Sequence, residues 1–188
     1  MPIKKLIPVL ALLLLGAVGC ESRTDKSQTG GVEISVSDFD GLPVIGSVNA
    51  PGGLIQIDTL TLQSISKDPF APTSDLMNVE LYSYEVTFSR ADEGTRVPPT
   101  LVRGIFGTVP VNGTNTIDGL PVLDSEALRV EPLSDLFFEN GGLDSETGND
   151  FIRLNYTLVF FGRTISGDEI RSGPANFTIE MCGSCLIP

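Results

Sequence analysis

Short runs in which apolar and polar residues alternate recur along the chain, and they predict β-strands. The clearest run covers residues 152–158, where Ile152, Leu154, Tyr156 and Leu158 alternate with polar residues. A period of two places successive side chains on opposite faces, so such a run indicates a half-buried strand. The same alternation recurs in further runs at residues 32–36, 54–65, 82–88, 101–111, 114–123 and 176–181.

The alternation also predicts which side chains face the core. It assigns an inward position to Tyr82, Tyr84, Val86, Phe88, Phe177, Ile179 and Met181. Phe160-Phe161 and Leu136-Phe137-Phe138 place aromatic residues next to each other. One aromatic of each group is expected in the core and its neighbour outside, where a second layer covers it or it stays exposed as a binding anchor.

Residues that favour turns separate the runs. Asn112-Gly113 lies between two of them, and Asn-Gly is a strong hairpin signal because both turn positions favour a positive φ. Ser166-Gly167-Asp168 predicts a second turn. A short helix is predicted only over Glu131–Asn140, with Pro132 in its first turn.

About seven to nine short strands at this spacing predict an all-β fold, an antiparallel β-sandwich. The sandwich is expected to occupy residues 32–188 as one domain, and a barrel is the main alternative. In architecture it resembles the immunoglobulin and fibronectin-III class. It lacks the buried tryptophan of antibody domains, since the chain contains no tryptophan.

The N-terminus has the pattern of an export signal. Lys4 and Lys5 precede an almost unbroken apolar stretch at residues 6–18, which is shorter than the roughly 20 residues of a membrane-spanning helix. Ala17-Val18-Gly19-Cys20 follows and resembles the lipobox of bacterial lipoproteins, although the usual leucine is replaced by Ala17. An ordinary secretory signal and an uncut signal anchor are the alternatives.

The resemblance to lipoproteins implies that residues 1–19 are removed and that Cys20 carries the lipid. It also implies a place in the bacterial cell envelope, in the outer membrane if the cell has two membranes. Residues 20–31 are then the lipidated cysteine and a flexible tether, because Glu21–Gly31 is polar and ends in two glycines. Eleven such residues reach at most roughly 38 Å.

The charge of the chain argues against nucleic acid as a partner. The sequence has 12 basic and 24 acidic residues, a net charge of −12, and removing Lys4 and Lys5 makes it −14. Nucleic-acid backbones and anionic lipid surfaces are bound through clustered basic residues, which this chain lacks. The expected contact with the membrane is therefore the lipid on Cys20.

The chain contains no histidine, which excludes the Ser-His-Asp triad and the usual catalytic zinc sites. Carboxylate catalysis stays open, but no pair of acids is singled out. No cofactor is predicted.

Cys182 and Cys185 are the cysteines left once Cys20 is lipidated. A small structural disulfide is the favoured interpretation for an oxidising compartment. A redox pair normally needs a helix beginning at the first cysteine, and only three residues follow Cys185. Half of a metal site and pairing between chains are further alternatives.

An acidic loop at residues 144–150 is a weak candidate for calcium, with Asp144, Glu146 and Asp150 as possible oxygen ligands. The favoured interpretation is a solvated turn. Asp38 and Asp40 form a poorer candidate.

The sequence therefore predicts a non-catalytic, lipid-anchored binding or structural module of the envelope, with an unidentified protein or envelope partner. An envelope enzyme or redox protein, using carboxylates or the cysteine pair, is the first alternative. A calcium-dependent adhesion or carbohydrate-binding module is the second.

Overall fold

A computed structural model describes residues 30–49, 54–183 and Cys185. The predicted signal peptide, Cys20 and most of the tether lie outside these residues, so these predictions stay open. The last tether residues belong to the folded part: the carbonyl of Gly31 accepts a hydrogen bond from the backbone N–H of Lys67 at 2.9 Å. Gly30 is buried, and the domain therefore begins two residues earlier than predicted.

The described residues form nine strands and four short 3-10 helices. The strands are β1 (Val32–Asp40), β2 (Ile45–Ser47), β3 (Ile55–Ser66), β4 (Val79–Arg90), β5 (Leu101–Val109), β6 (Thr114–Leu123), β7 (Phe151–Thr164), β8 (Glu169–Arg171) and β9 (Ala175–Cys182). The 3-10 helices are Asp75–Met77, Ala127–Arg129, Leu133–Leu136 and Phe138–Asn140. The all-β prediction is confirmed.

The strands form two sheets. The smaller sheet has the order β1-β3-β6, and the larger has the order β2-β9-β7-β4-β5, with β8 paired to β7 beyond that path. One pairing departs from the predicted antiparallel arrangement, because β2 runs parallel to β9. The 14-residue strand β7 runs the length of the larger sheet and pairs with β4, β8 and β9.

The core lies between the two sheets. Ile57 and Leu60 of β3 face Tyr156 and Leu158 of β7 in one cluster, and all four side chains are fully buried. The alternation at residues 152–158 thus marks the buried face as predicted. The hydroxyl of Tyr84 on β4 donates to the carbonyl of Pro121 on β6 at 2.8 Å, which ties the larger sheet to the smaller one.

The Asn112-Gly113 turn forms, but it does not make a hairpin. Asn112 has a φ of 54°, and its side-chain oxygen accepts the N–H of Ser66 at 2.8 Å. The turn thereby docks on β3 and carries the chain from β5 in the larger sheet to β6 in the smaller one. The Asn-Gly signal predicts the local backbone, whereas the contacts with β3 decide which strand pairs next.

The helix predicted over Glu131–Asn140 is wrong as a continuous element. Residues 133–136 and 138–140 form two 3-10 turns, separated at Phe137, whose ψ of 140° is extended. The second turn ends at Gly141 with a φ of 108°. None of the helices in the described part of the chain has the length and apolar content needed to cross a bilayer.

Candidate functional site

The acidic loop at residues 144–150 is held to the end of β4 by an ion pair at its first residue. Asp144 is fully buried, and its carboxylate accepts a hydrogen bond from the guanidinium of Arg90 at 2.8 Å. Burial opposes ionisation of Asp144, but hydrogen bonds from Arg90 and Thr147 outweigh it and lower its pKa. The other loop residues are exposed or half-buried, as expected for a solvated turn, but Asp144 is not, because Arg90 at the end of β4 reaches it.

Glu146 belongs to the same network. Its carboxylate accepts hydrogen bonds from the Thr95 hydroxyl at 2.6 Å and from the backbone N–H of Thr95 and Arg96 at 2.9 and 2.8 Å. These hydrogen bonds, the Thr95 hydroxyl first, lower the pKa of Glu146 to about 2. Two carboxylates of the proposed calcium ligand set are therefore already satisfied by protein groups.

The remaining metal candidates do not come together. Asp150 is exposed just before β7, and Asp38 and Asp40 lie exposed on β1. No group of three or more suitable acids or cysteines is arranged to hold a metal ion in residues 30–49, 54–183 and 185. Calcium binds six to eight oxygens, so these positions do not support a site.

Cys182 and Cys185 lie at the end of β9. Their sulfur atoms are at bonding distance, and their Cα atoms are 5.7 Å apart. Both sulfurs also lie close to the carbonyl oxygen of Gly46 on β2, at 3.7 and 3.5 Å. Cys182 is the last residue of a strand, and a strand supplies no helix dipole to activate a thiol.

The adjacent aromatic residues divide between core and surface. Phe160 is buried, whereas Phe161 is half-buried and lies under the guanidinium of Arg171, 5.9 Å from the ring centre. Phe138 is 92% exposed, and Phe137 is half-buried against the core. The prediction of one core aromatic therefore holds for Phe160 and only in part for Phe137.

The pairing of β5 with β4 contains a bulge at Phe106, which is exposed between the half-buried Ile105 and Gly107. Leu81 pairs with Gly107 and Ser83 pairs with Gly104, so one residue of β4 faces two residues of β5. β-Bulges re-aim side chains and concentrate at sheet edges and beside functional sites. Phe106 sits in this bulge on the edge strand of the larger sheet and is 93% exposed.

A second irregularity lies at the same level, between β4 and β7. Leu81 pairs with Gly162 and Ser83 with Phe161, so Tyr82 is an extra residue without a partner on β7. Tyr82 is 43% exposed, and the prediction that it faces inward is wrong. The extra residue shifts the alternation by one, which places Leu81 and Tyr84 in the core on either side of the bulge.

Between these two aromatics lies a groove of about 500 Å³ on the larger sheet. We call it the bulge groove; it is lined by Glu80, Leu81, Tyr82, Phe106, Gly107, Thr108, Arg163 and Glu169. The Tyr82 hydroxyl donates to a Glu169 carboxylate oxygen at 2.8 Å, and Arg163 lies 3.6 Å from Glu80. Partial burial and the Glu169 hydrogen bond raise the pKa of Tyr82.

The chemistry of the bulge groove is that of binding. It offers two aromatic faces, one guanidinium and two carboxylates. Its two acids, Glu80 and Glu169, contact Arg163 and Tyr82 and are too few for a calcium ligand set. Aromatic side chains beside charged groups are typical of the anchoring positions in protein interfaces.

The sequence contained a signal for this groove. Gly104 and Gly107 flank Phe106 within one predicted strand, and Gly162 lies in β7, on the other side of β4. Glycine inside a strand often marks a bulge or a close backbone approach. At Gly162 an added Cβ would lie 2.6 Å from the backbone oxygen of Glu80, so only glycine fits there.

No protein-family model matches the chain, and no curated protein matches it. A crystal structure of a protein from Archaeoglobus fulgidus is similar, with a TM-score of 0.38 and 12% identity over 82% of this chain and 97% of that one. The solution structure of a protein described as late embryogenesis abundant has a TM-score of 0.42 and 16% identity, over 95% and 86%. At these values the likeness assigns neither family nor function.

Proposed function

We propose that the protein is a lipid-anchored lipoprotein of the bacterial envelope whose β-domain binds an envelope protein and catalyses no reaction. The anchor is the lipid on Cys20, and the binding site is the bulge groove. One observation carries the second part: two irregularities lie at the same level of the sheet, and the aromatic side chains beside them, Tyr82 and Phe106, are both exposed. Phe106 differs from a singly exposed side chain because it shares one groove with the exposed Tyr82, and grouped exposed apolar side chains mark interaction sites.

The position of the bulge groove supports a polypeptide as the ligand. β5 is the last strand on its side of the sheet, and an edge strand presents backbone groups to which an extended segment can add. Phe106 then serves as the apolar anchor, and Glu80 and Glu169 favour a basic side chain nearby. The net charge, −14 once Lys4 and Lys5 are removed with the signal peptide, acts in the same direction over longer range.

The test is site-specific photocrosslinking in intact cells. Phe106 is replaced by p-benzoylphenylalanine and, in a matched control, Phe138 is replaced by the same residue. Phe138 is 92% exposed, and nearby Leu136 lies against Gly183 at the end of β7 that is far from the groove. We expect one discrete crosslinked protein from position 106 and none from position 138. We also expect Tyr82→Ser to reduce the yield at position 106 at least several-fold.

The proposal fails if position 106 gives no adduct, or if both positions give the same set. It also fails if Tyr82→Ser leaves the yield unchanged, because the adduct would then not depend on the groove.

A further inference from the structure

The chain enters the domain at one end of the sandwich. Besides the hydrogen bond from Lys67, Gly31 lies close to Met77, where an added Cβ would be 3.0 Å from the methionine Cε. An added Cβ on Gly30 would lie 2.4 Å from Ile170 Cδ1, on β8. The entry point is therefore enclosed by the loop at residues 67–78 and by the β7–β8 hairpin.

Apolar side chains are exposed on these same two segments. Phe70 is 95% exposed, Leu76 57% and Ile165 47%. Leu76 and Ile165 are brought together by backbone hydrogen bonds, from the Ser166 N–H to the Leu76 carbonyl and from the Ile165 N–H to the Asn78 carbonyl, both 3.0 Å.

Phe70 is presented by a turn. The Ala71 N–H donates to the Asp68 carbonyl at 3.3 Å, and the Phe70 N–H donates to the Asp68 carboxylate at 2.9 Å. These contacts fix the backbone of the turn while its largest side chain projects into solvent. We call the exposed apolar side chains of these two segments, Phe70, Leu76 and Ile165, the entry face.

We infer that the entry face docks on the bilayer to which the lipid holds the protein, with Phe70 entering the boundary between headgroups and acyl chains. The inference rests on the lipid anchor proposed above. Nine residues lie between Cys20 and Gly30, so the ten steps along the chain reach at most about 35 Å and the entry face stays close to the membrane surface. Aromatic and aliphatic side chains bind the interface through their buried apolar area.

The charges around the entry face define which lipid it accepts. Asp68 and Asp75 lie in the same loop, and Asp168 lies in the hairpin turn, against one lysine, Lys67. Three carboxylates repel an anionic surface, so the contact is apolar and suits zwitterionic phosphatidylcholine or phosphatidylethanolamine. Added anionic lipid should weaken it.

The opposite end of the domain supplies a matched control. β7 runs from Phe151 to Thr164, which places the two ends roughly 40 Å apart. Phe138 belongs to the far end, because the adjoining Leu136 backbone lies against Gly183, just beyond the Phe151–Cys182 pair. Phe138 is 92% exposed, almost the same as Phe70.

The chain contains no tryptophan, so one introduced tryptophan reports on its own surroundings. Full-length lipidated protein carrying Phe70→Trp or Phe138→Trp is reconstituted into phosphatidylcholine vesicles, with and without brominated acyl chains, and flotation measures vesicle binding. We expect both variants to float. We expect brominated lipid to quench Phe70→Trp at least twofold and to leave Phe138→Trp almost unchanged.

Equal quenching of the two variants, or quenching of neither in floated protein, would overturn the docking while leaving the anchor intact. Failure of both variants to float would overturn the anchor itself, and the docking with it. Replacing a third of the phosphatidylcholine by phosphatidylglycerol should reduce the quenching of Phe70→Trp, and an increase would contradict an apolar contact.

Discussion

Two core tyrosines differ in what their hydroxyl groups contact. Tyr84 donates to the Pro121 carbonyl, whereas the hydroxyl of the fully buried Tyr156 has no hydrogen-bond partner among the described residues. The Tyr156 ring is nevertheless well packed, edge-on to Phe88 at 5.0 Å and stacked on Phe177 at 5.1 Å. Burial raises the pKa of Tyr156, so the group stays neutral.

Removing the Tyr156 hydroxyl should therefore not cost stability. We expect Tyr156→Phe to leave the free energy of unfolding unchanged or to raise it by up to about 1 kcal/mol, because a buried polar group without a partner is removed. Tyr84→Phe is the matched change and should cost about 1 kcal/mol, since it breaks the bond between the sheets. Urea unfolding measures both, and a larger loss for Tyr156→Phe would contradict the structure.

The Arg90 ion pair should matter far more than a surface pair. The side chains of Arg90 and Asp144 are only 3% and 0% exposed, and those of Arg103 and Asp124, 3.4 Å apart, are 41% and 23% exposed. We expect Arg90→Ala to cost about 3–5 kcal/mol, because it leaves Asp144 charged and buried without its partner. Arg103→Ala should cost less than about 1 kcal/mol. Similar losses in urea unfolding would refute the distinction.

The same network predicts acid sensitivity. The pKa of Glu146 is about 2 in the folded protein against 4.5 as its ordinary value, so the unfolded chain binds the proton first. The contribution of the Glu146 carboxylate to the free energy of unfolding is complete above about pH 4.5 and is lost as the pH falls towards 2. Unfolding measured from pH 6 to pH 2 should show this loss, and Glu146→Gln should flatten it. An unchanged pH slope in that variant would exclude Glu146 as its source.

Among the elements, the turn at Asn112 allows the backbone and side-chain contributions to stability to be measured separately. Asn112→Gly keeps the positive φ but loses the hydrogen bond with the Ser66 N–H, so we expect a loss of about 1 kcal/mol. Asn112→Ala loses the same hydrogen bond and also strains the backbone. Its free energy of unfolding should therefore be lower by about a further 1 kcal/mol. Equal unfolding free energies for the two variants would contradict this division.

The strands that the sequence predicts well are those whose alternation is undisturbed. The run at 152–158 lies within β7 with its inward face as expected, because each residue there pairs with a neighbour in regular register. Tyr82 is misassigned because its position depends on two irregular pairings with other strands. A periodicity read along one strand contains no information about an extra residue relative to its neighbours.

The sequence does not predict the bulge groove for the same reason. It does not predict the ion pair of the acidic loop for a related reason. Arg90 and Asp144 are 54 positions apart, and nothing local to either residue indicates the other. The composition of the loop predicts a solvated turn and gives no indication that Asp144 is buried. Charge patterns predict local helix pairs well, but they do not predict ion pairs that the fold brings together.

For the whole molecule, the bulge groove and the entry face lie close to each other. Glu169 and Arg163 line the groove and flank the hairpin turn that borders the entry face. A domain docked through Phe70 would thus hold the groove near the membrane surface and direct Phe138 away from it. The partner that we propose for the groove would then be bound close to the bilayer.

The membrane attachment that we propose depends on one residue, Cys20. We expect Cys20→Ser to prevent acylation and to leave a precursor that retains residues 1–19, which mass spectrometry of the intact chain will show. In a detergent phase separation, the unaltered protein should enter the detergent phase. Its recovery in the aqueous phase would contradict the lipoprotein assignment, whatever the fate of the variant.

The central position of β7 has a kinetic consequence. Val86 on β4 pairs with Leu158 on β7, about 70 residues later in the chain, and contacts over such separations make folding slow. The middle of the larger sheet therefore closes only after most of the chain has been synthesised. For a protein that we propose leaves the cell interior, this delay is useful, because a chain that is still extended passes through a narrow membrane channel more readily than a closed sandwich.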